Sequence, residues 1–353
     1  MIASKLKFAL LPLAAIAGSI ALSPAMAEAN ERTAQDQITV AVGHGLQADA
    51  TKALAALAGL PEDALSPSDR SFKTCMVDRF GTAERQAHAL PQPASFSQRL
   101  IELFRAYWRQ AMLKPGDRAV AEATLRQSLA LELGAASDWP SLEDPIRKRL
   151  AEEGRDALLG QTGPLRELMI WGRSREIVEK VHLPDGSFEV RVVYLEDFAS
   201  LGWGDWATCG RRGAGGWATG NALYAVTPRY ESLDGEEFRV TFLGHETQHF
   251  ADLARFPGMA SWELEYRAKL TELAQARATR PKILHKFLED RADDPAHPHG
   301  YANRKVLADL AARLHLEDVR ELMSVDLEAL NAVAGELVRN DTESRLRLIS
   351  GGK

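Results

Sequence analysis

Gly244-His245-Glu246-Thr247-Gln248-His249-Phe250 reads H-E-x-x-H, and the rest of the chain is arranged around it. Residues four apart on an α-helix lie nearly above one another, so His245 and His249 can offer two imidazole nitrogens to one ion. Glu246 projects about 100° round from His245. Its carboxylate then stands beside the ion, where it can accept a proton from a metal-bound water. The same pattern can occur on an amphipathic helix whose histidines are merely packed or solvated, so the surroundings matter. Ser232-Leu233-Asp234-Gly235-Glu236-Glu237 has the form of a helix start, with Asp234 as N-cap and Glu237 as its capping-box partner. Phe238, Phe242, His245, His249 and Leu253 follow at helical spacing, and Pro257-Gly258 stops the run. The motif is expected in the middle of a helix of about six turns.

Downstream, Ser261 is a plausible N-cap for a second helix reaching about Thr279, with Pro281 after it. A short Pro-Gly connection lets two helices fold back on each other, which would carry a carboxylate towards His245 and His249. A zinc ion with two histidines needs at least one more protein ligand and an open position for water. Glu263 and Glu265 are the choices, and they point to different sides of a helix. Glu263 falls in the first turn, where the helix dipole alone explains a carboxylate. That favours Glu265 as the ligand and leaves Glu263 as the alternative.

His245-Glu246-x-x-His249 followed by Glu265-Tyr266-Arg267-Ala268 resembles the gluzincin-type zinc metallopeptidases, in which a glutamate on the helix after H-E-x-x-H completes the site. The order hairpin, further strand, motif helix, glutamate helix is also similar to a zincin catalytic core. The likeness covers about residues 140–280. Some zincins carry Asp after E-x-x-A, whereas Lys269 stands here, and Arg255 occupies the place where a metzincin has its third histidine. The resemblance implies an α+β, mainly helical protein with a zincin-like catalytic domain and a small twisted sheet. It implies Zn2+ as cofactor, His245, His249 and Glu265 as ligands, and Glu246 as the catalytic base of peptide-bond hydrolysis. An oxyanion donor would come from Tyr266, or from His299 or Tyr301 in the segment His297-Pro298-His299-Gly300-Tyr301, which otherwise reads as a solvated loop. Two other readings stay open: a non-catalytic protein with a structural or vestigial metal site, and a zinc hydrolase of cell-wall peptide crosslinks.

Upstream of the motif, residues 176–183 and 187–195 alternate with a period of two around Pro184-Asp185-Gly186, a β-hairpin with an Asp-Gly turn. Residues 201–216 are rich in Gly, Trp and Arg and read as a loop. Residues 217–226 form a third strand, whose glycine suggests close approach of another backbone and an edge able to pair with an extended peptide. Residues 142–159 and 164–171 read as helices. So do 46–60, 96–113 and 119–133, which make residues 28–137 a helical, Ala-rich N-terminal region before the catalytic domain at 138–353. Residues 303–345 return to amphipathic helix.

Residues 1–27 have the form of a secretory leader: Lys5 and Lys7, an apolar stretch from Phe8 to Leu22, then Pro24-Ala25-Met26-Ala27 as the cleavage site. A periplasmic or secreted location follows, with no membrane span in the mature chain. In such a compartment the two cysteines, Cys75 and Cys209, are expected to form one disulfide. The 353 residues carry a formal charge of −6 and no basic stripe, which argues against a nucleic-acid partner and leaves a peptide or protein substrate.

Overall fold

The computed structural model describes residues 24–81 and 94–351. Most of the expected leader, residues 1–23, lies outside these residues, and Pro24 to Ala27 are the first residues of α1. Among the described residues the chain is α+β and mainly helical, with one five-stranded sheet. Among the described residues six α-helices come first: α1 (Pro24–Leu46), α2 (Ala50–Leu57), α3 (Pro67–Phe80), α4 (Phe96–Leu113), α5 (Arg118–Leu133) and α6 (Trp139–Glu152). Their starts follow local chemistry. Asp49, Ser66, Ser95 and Asp138 each accept a backbone N–H of the first turn, and Ser95 with Gln98 forms a full capping box. The expected helix over 46–60 is broken at Ala48, whose φ of +55° no helix accommodates.

The next stretch departs from the sequence reading. The helix expected to reach residue 159 stops at Glu152, because Gly154 takes φ +68° and the N–H groups of Glu153, Gly154 and Arg155 close back on the last turn. β1 (Asp156–Thr162) and β2 (Leu165–Leu183) follow, so residues 164–171 are strand rather than helix. Thr162 pairs with Leu165 across Gly163-Pro164, with Gly163 at φ +57° as a two-residue hairpin requires at its first central position. Leu165, Leu168, Met169, Ile170 and Trp171 are buried, and a short apolar run of this kind does not distinguish strand from buried helix.

β3 (Gly186–Leu201) completes the predicted hairpin, but with a different turn. Leu183 pairs with Gly186, which puts Pro184 and Asp185 at the two central positions. Proline cannot take the positive φ of an Asp-Gly turn, whereas Pro at the first central position and Gly at the fourth suit a type I turn. A short helix, α7 (Trp203–Ala207), lies inside the stretch expected to be loop. The predicted third strand is two strands, β4 (Gly216–Ala218) and β5 (Leu223–Val226), antiparallel to each other. The sheet order is β1-β2-β3-β5-β4, so β5 is internal, parallel to β3, and β4 is the outer strand. Close approach occurs at Gly216, where an added Cβ would fall 2.2 Å from the Tyr224 carbonyl oxygen and 2.4 Å from the Phe242 ring. Gly220, in the connection between the strands, has open space around it.

The motif follows: α8 (Glu236–Phe238), a π-helical segment (Arg239–Gly244) and α9 (His245–Arg255) form one continuous run. Then come α10 (Ser261–Gln275), α11 (Arg280–Glu289), α12 (Pro298–Arg313), a 3-10 segment (Val319–Ser324) and α13 (Leu327–Gly351). Besides an apolar cluster within the sheet around Met169, Trp171, Leu195 and Val226, three apolar clusters hold this together. One joins the first six helices to Leu165, Leu168, Ile170, Trp203 and Ala207. A second packs β2, β3 and β5 on Phe238, Phe242, Leu243 and Ala251 of the motif run. The third joins α10 to α13 through Leu270, Leu273, Phe287, Leu307 and Leu330. The motif helix therefore lies between the sheet and the C-terminal helices. Cys75 of α3 is bonded to Cys209, which ties the helical part to the segment before β4. No helix among the described residues is long and apolar enough to cross a membrane.

Candidate metal centre

The motif helix starts differently from the expected capping box. Gly235 is the N-cap, without a side-chain bond, and Glu237 pairs with Lys282 instead of closing back. The π-helical turn ends at the motif, where the His245 N–H reaches the Val240 carbonyl five residues back. Such turns widen the helix and are frequent at functional sites. Here the turn breaks the expected apolar stripe. Phe238 and Phe242 are buried against the sheet, but Leu253 is 54% exposed, and the buried face of α9 is Thr247, Gln248, Ala251 and Asp252.

That face meets α10 through polar pairs. Thr271 donates to Gln248 at 2.8 Å, and Arg267 donates to Asp252 at 2.8 Å. One turn away, the same seam brings His245 and His249 to Glu265. The two histidine Nε2 atoms are 3.0 Å apart, and Glu265 oxygens lie 3.8 Å from His245 Nε2 and 3.4 Å from His249 Nε2. Ligands about 2.0–2.1 Å from a tetrahedral ion stand roughly 3.3–3.4 Å from one another, so these three fit a single ion. The three ligand atoms form the metal-capable group of the described residues. Two imidazole nitrogens and a carboxylate oxygen are a donor set that suits zinc.

Glu263 is used elsewhere. It accepts the N–H of Ala260, the actual N-cap of α10, at 2.9 Å, and it pairs with Arg345 of α13 at 2.8 Å. Glu265 is buried. Burial alone would raise its pKa, but His249, His299, His245 and Lys269 outweigh that and hold it well below the usual carboxylate range.

Glu272 is a residue the sequence reading missed. Its carboxylate is 2.5 Å from Nδ1 of His245, on the far side of the ring from Nε2. This bond fixes the ring so that Nε2 faces the ion position, the usual arrangement for a histidine ligand. Burial alone would lower the pKa of His245, and the Glu272 carboxylate, with Glu265 and Glu246, raises it instead. A signal was present: Glu265, Ala268 and Glu272 recur at three and four, one face of a helix, with alanine where the helices approach. Lys269, standing where some zincins have Asp, is buried with Nζ 3.4 Å from Glu265.

A cleft of about 610 Å³ opens over the site, lined among others by His245, Glu246, Glu272, Tyr230 and His299. Glu246 makes no hydrogen bond or ion pair within the described residues, so its carboxylate is free at the cleft. Tyr230, also missed, donates to the Gly215 carbonyl at 3.1 Å. Burial, with the Glu246 and Glu237 charges, pushes its pKa up, so it stays protonated. His299 lies in the first turn of α12, not in a loop, with Nδ1 2.8 Å from Glu265. Tyr266 and Tyr301 do not line this cleft. Tyr266 donates to Asp309 at 2.8 Å, and Tyr301 packs edge-on against Trp262. Cys75, bonded to Cys209, takes no part in the site.

No family model, no curated protein and no solved structure matches the chain.

Proposed function

We propose that the chain is an exported zinc-dependent peptidase of the zincin type. His245, His249 and Glu265 would hold the ion, and Glu246 would act as general base. One observation carries the reading: two imidazole nitrogens and a carboxylate stand at the spacing of a tetrahedral ion, with an unpaired carboxylate beside them in a cleft. When bound, zinc supplies an activated water, with a pKa near about 7, and polarisation of the scissile carbonyl.

The chain's own groups do the rest. Glu246 has no partner competing for its oxygens, so it accepts the proton of the attacking water and delivers it to the leaving amine. Glu272 keeps the His245 ring in place. Of the three candidates for the oxyanion donor, His299 lines the cleft, with Nδ1 beside Glu265, and Tyr266 and Tyr301 do not. Outer strand β4 follows Gly215, which lines the cleft, so an extended substrate has main chain to pair with there. Export is supported by the leader pattern and by the Cys75–Cys209 bond.

The test is metal content together with casein hydrolysis. The purified, zinc-loaded protein should hold one zinc per chain and cleave casein. Glu246→Gln should keep the zinc and lose at least about a hundredfold in kcat, the scale of a general base. A folded protein that takes up no zinc would end the peptidase reading. Activity on cell-wall fragments with none on casein or synthetic peptides would replace it with the crosslink hydrolase.

A further inference from the structure

We infer that the cleft selects peptides bearing a carboxylate next to the bond to be cut, held by Arg212 and Lys286; this rests on the peptidase reading and names its substrate class. The chain as a whole is acidic, with 49 Asp and Glu to 43 Lys and Arg. The cleft reverses that balance, with six Arg and Lys lining it to three Glu. Four of the cations are already matched. Arg211 pairs with Asp69 at 2.7 Å, Arg229 with Asp205 at 3.0 Å, Lys269 with Glu265 at 3.4 Å, and Lys282 with Glu237. Arg212 and Lys286 remain, both exposed, and neither side chain makes a hydrogen bond or ion pair within the described residues. Of the three glutamates, Glu237 and Glu272 are engaged and Glu246 is the base. A bound divalent ion would add further positive charge at the floor.

The two free cations come from separate elements. Lys286 is on α11. Arg212 is on the segment between α7 and β4, and that segment is pinned at several points. Cys209 is bonded to Cys75, the Arg212 N–H donates to Thr208 Oγ1 at 2.9 Å, and Arg229 donates to the Gly210 carbonyl at 3.1 Å. Arg211, its neighbour, also lies over the Phe72 ring at 4.7 Å. The backbone carrying Arg212 is therefore held in place while its guanidinium stays free. A fixed cation without a partner costs little to engage, because no existing ion pair has to be broken for a substrate carboxylate to reach it.

Three fluorogenic peptides of one core sequence test this with the zinc-loaded protein. One has Asp or Glu beside the scissile bond and an amidated end. A second is neutral with a free C-terminal carboxylate, and the third is neutral and amidated. A carboxylate from either source should raise kcat/KM about tenfold over the third peptide, and the first two peptides tell side chain from chain end. Going from about 0.1 M to about 1 M salt shortens the Debye length from about 10 Å to about 3 Å, so the preference should shrink. Arg212→Glu with Lys286→Glu should invert it towards a Lys-bearing peptide, with Tm and zinc content as controls. If that pair unfolds the protein, the exposed single change Lys286→Ala reads the same ratio. Anisotropy of labelled acidic and neutral peptides on zinc-loaded Glu246→Gln gives a readout without turnover. Equal kcat/KM for all three peptides, or a preference unchanged by the variants, overturns the inference while leaving the peptidase reading intact. If nothing is cleaved, the peptidase reading fails, and equal binding of the labelled peptides then overturns this inference separately.

Discussion

Glu263 and Glu265 stand two residues apart on α10 and do unrelated things. Glu265 turns towards His245 and His249, and Glu263 turns towards Arg345 and the Ala260 N–H. Glu263→Gln should therefore leave zinc stoichiometry at one and cost about 1 kcal/mol of stability, the scale of a cap and a half-buried pair. Glu265→Gln should abolish stoichiometric zinc, measured by elemental analysis after dialysis. Glu272 makes a sharper prediction about pH. Zinc needs neutral imidazoles, and the raised pKa of His245 lets protons compete above the usual histidine value of about 6.5. Zinc affinity should fall as pH drops through that region. Glu272→Gln should weaken binding at pH 8 about 10- to 100-fold and move the pH midpoint lower, as read by competition with a chelating dye.

Four elements meet at Arg267, and the scale of elements is where the centre gains its rigidity. Its guanidinium is fully buried and bonds Asp185 of the β2–β3 turn at 2.7 Å, Asp252 of α9 at 2.8 Å and Asp341 of α13 at 2.6 Å. Removing it leaves the buried carboxylates of Asp185 and Asp252 to share the single cation Arg255, so Arg267→Met should cost about 3–5 kcal/mol in urea unfolding. Burial would raise the pKa of Asp185, but Thr342, Arg255 and Arg267 outweigh it and hold it low. A carboxyl with a depressed folded pKa stabilises the fold above its unfolded value of about 3.9, and that contribution is lost as pH falls below it. Unfolding midpoints should thus drop below about pH 4, and less so in Asp185→Asn, which is weaker throughout. At the sheet edge, Gly216→Ala would drive a methyl into the Phe242 ring and the Tyr224 carbonyl. It should cost about 1–3 kcal/mol and loosen β4 beside the cleft, visible as faster hydrogen exchange in residues 215–226.

Across the whole molecule, the Cys75–Cys209 bond closes a loop of 134 residues between the helical part and the cleft segment. Cys75→Ser with Cys209→Ser should lower stability by about 2–5 kcal/mol. Thermal unfolding with and without reductant should show the same loss in the parent chain and none in the variant. The sequence was legible wherever one local signal decided the outcome. Ser95 with Gln98 sets the start of α4, alternation sets the hairpin, and His245 with His249 sets a pair of facing imidazoles one turn apart. It misled where two signals competed. Residues 165–171 contain good helix formers, yet they pair with β1 and the end of β3, and Gly163-Pro164 was the local hint of that turn.

What the chain's sequence determined by itself is the pair of histidines, the Glu246 carboxylate between them and a carboxylate on the following helix, because helical periodicity is a property of neighbours. Tertiary packing alone decided that Glu265 and not Glu263 faces the histidines, that Glu272 holds the His245 ring, and that Arg212 and Lys286 reach one cleft. Those facts depend on how α10 rotates against α9 and on where α11 and the disulfide-held segment stand. Such rotations and placements come from the burial of Arg267, Thr271 and Gln248 between helices, which no local pattern of residues encodes.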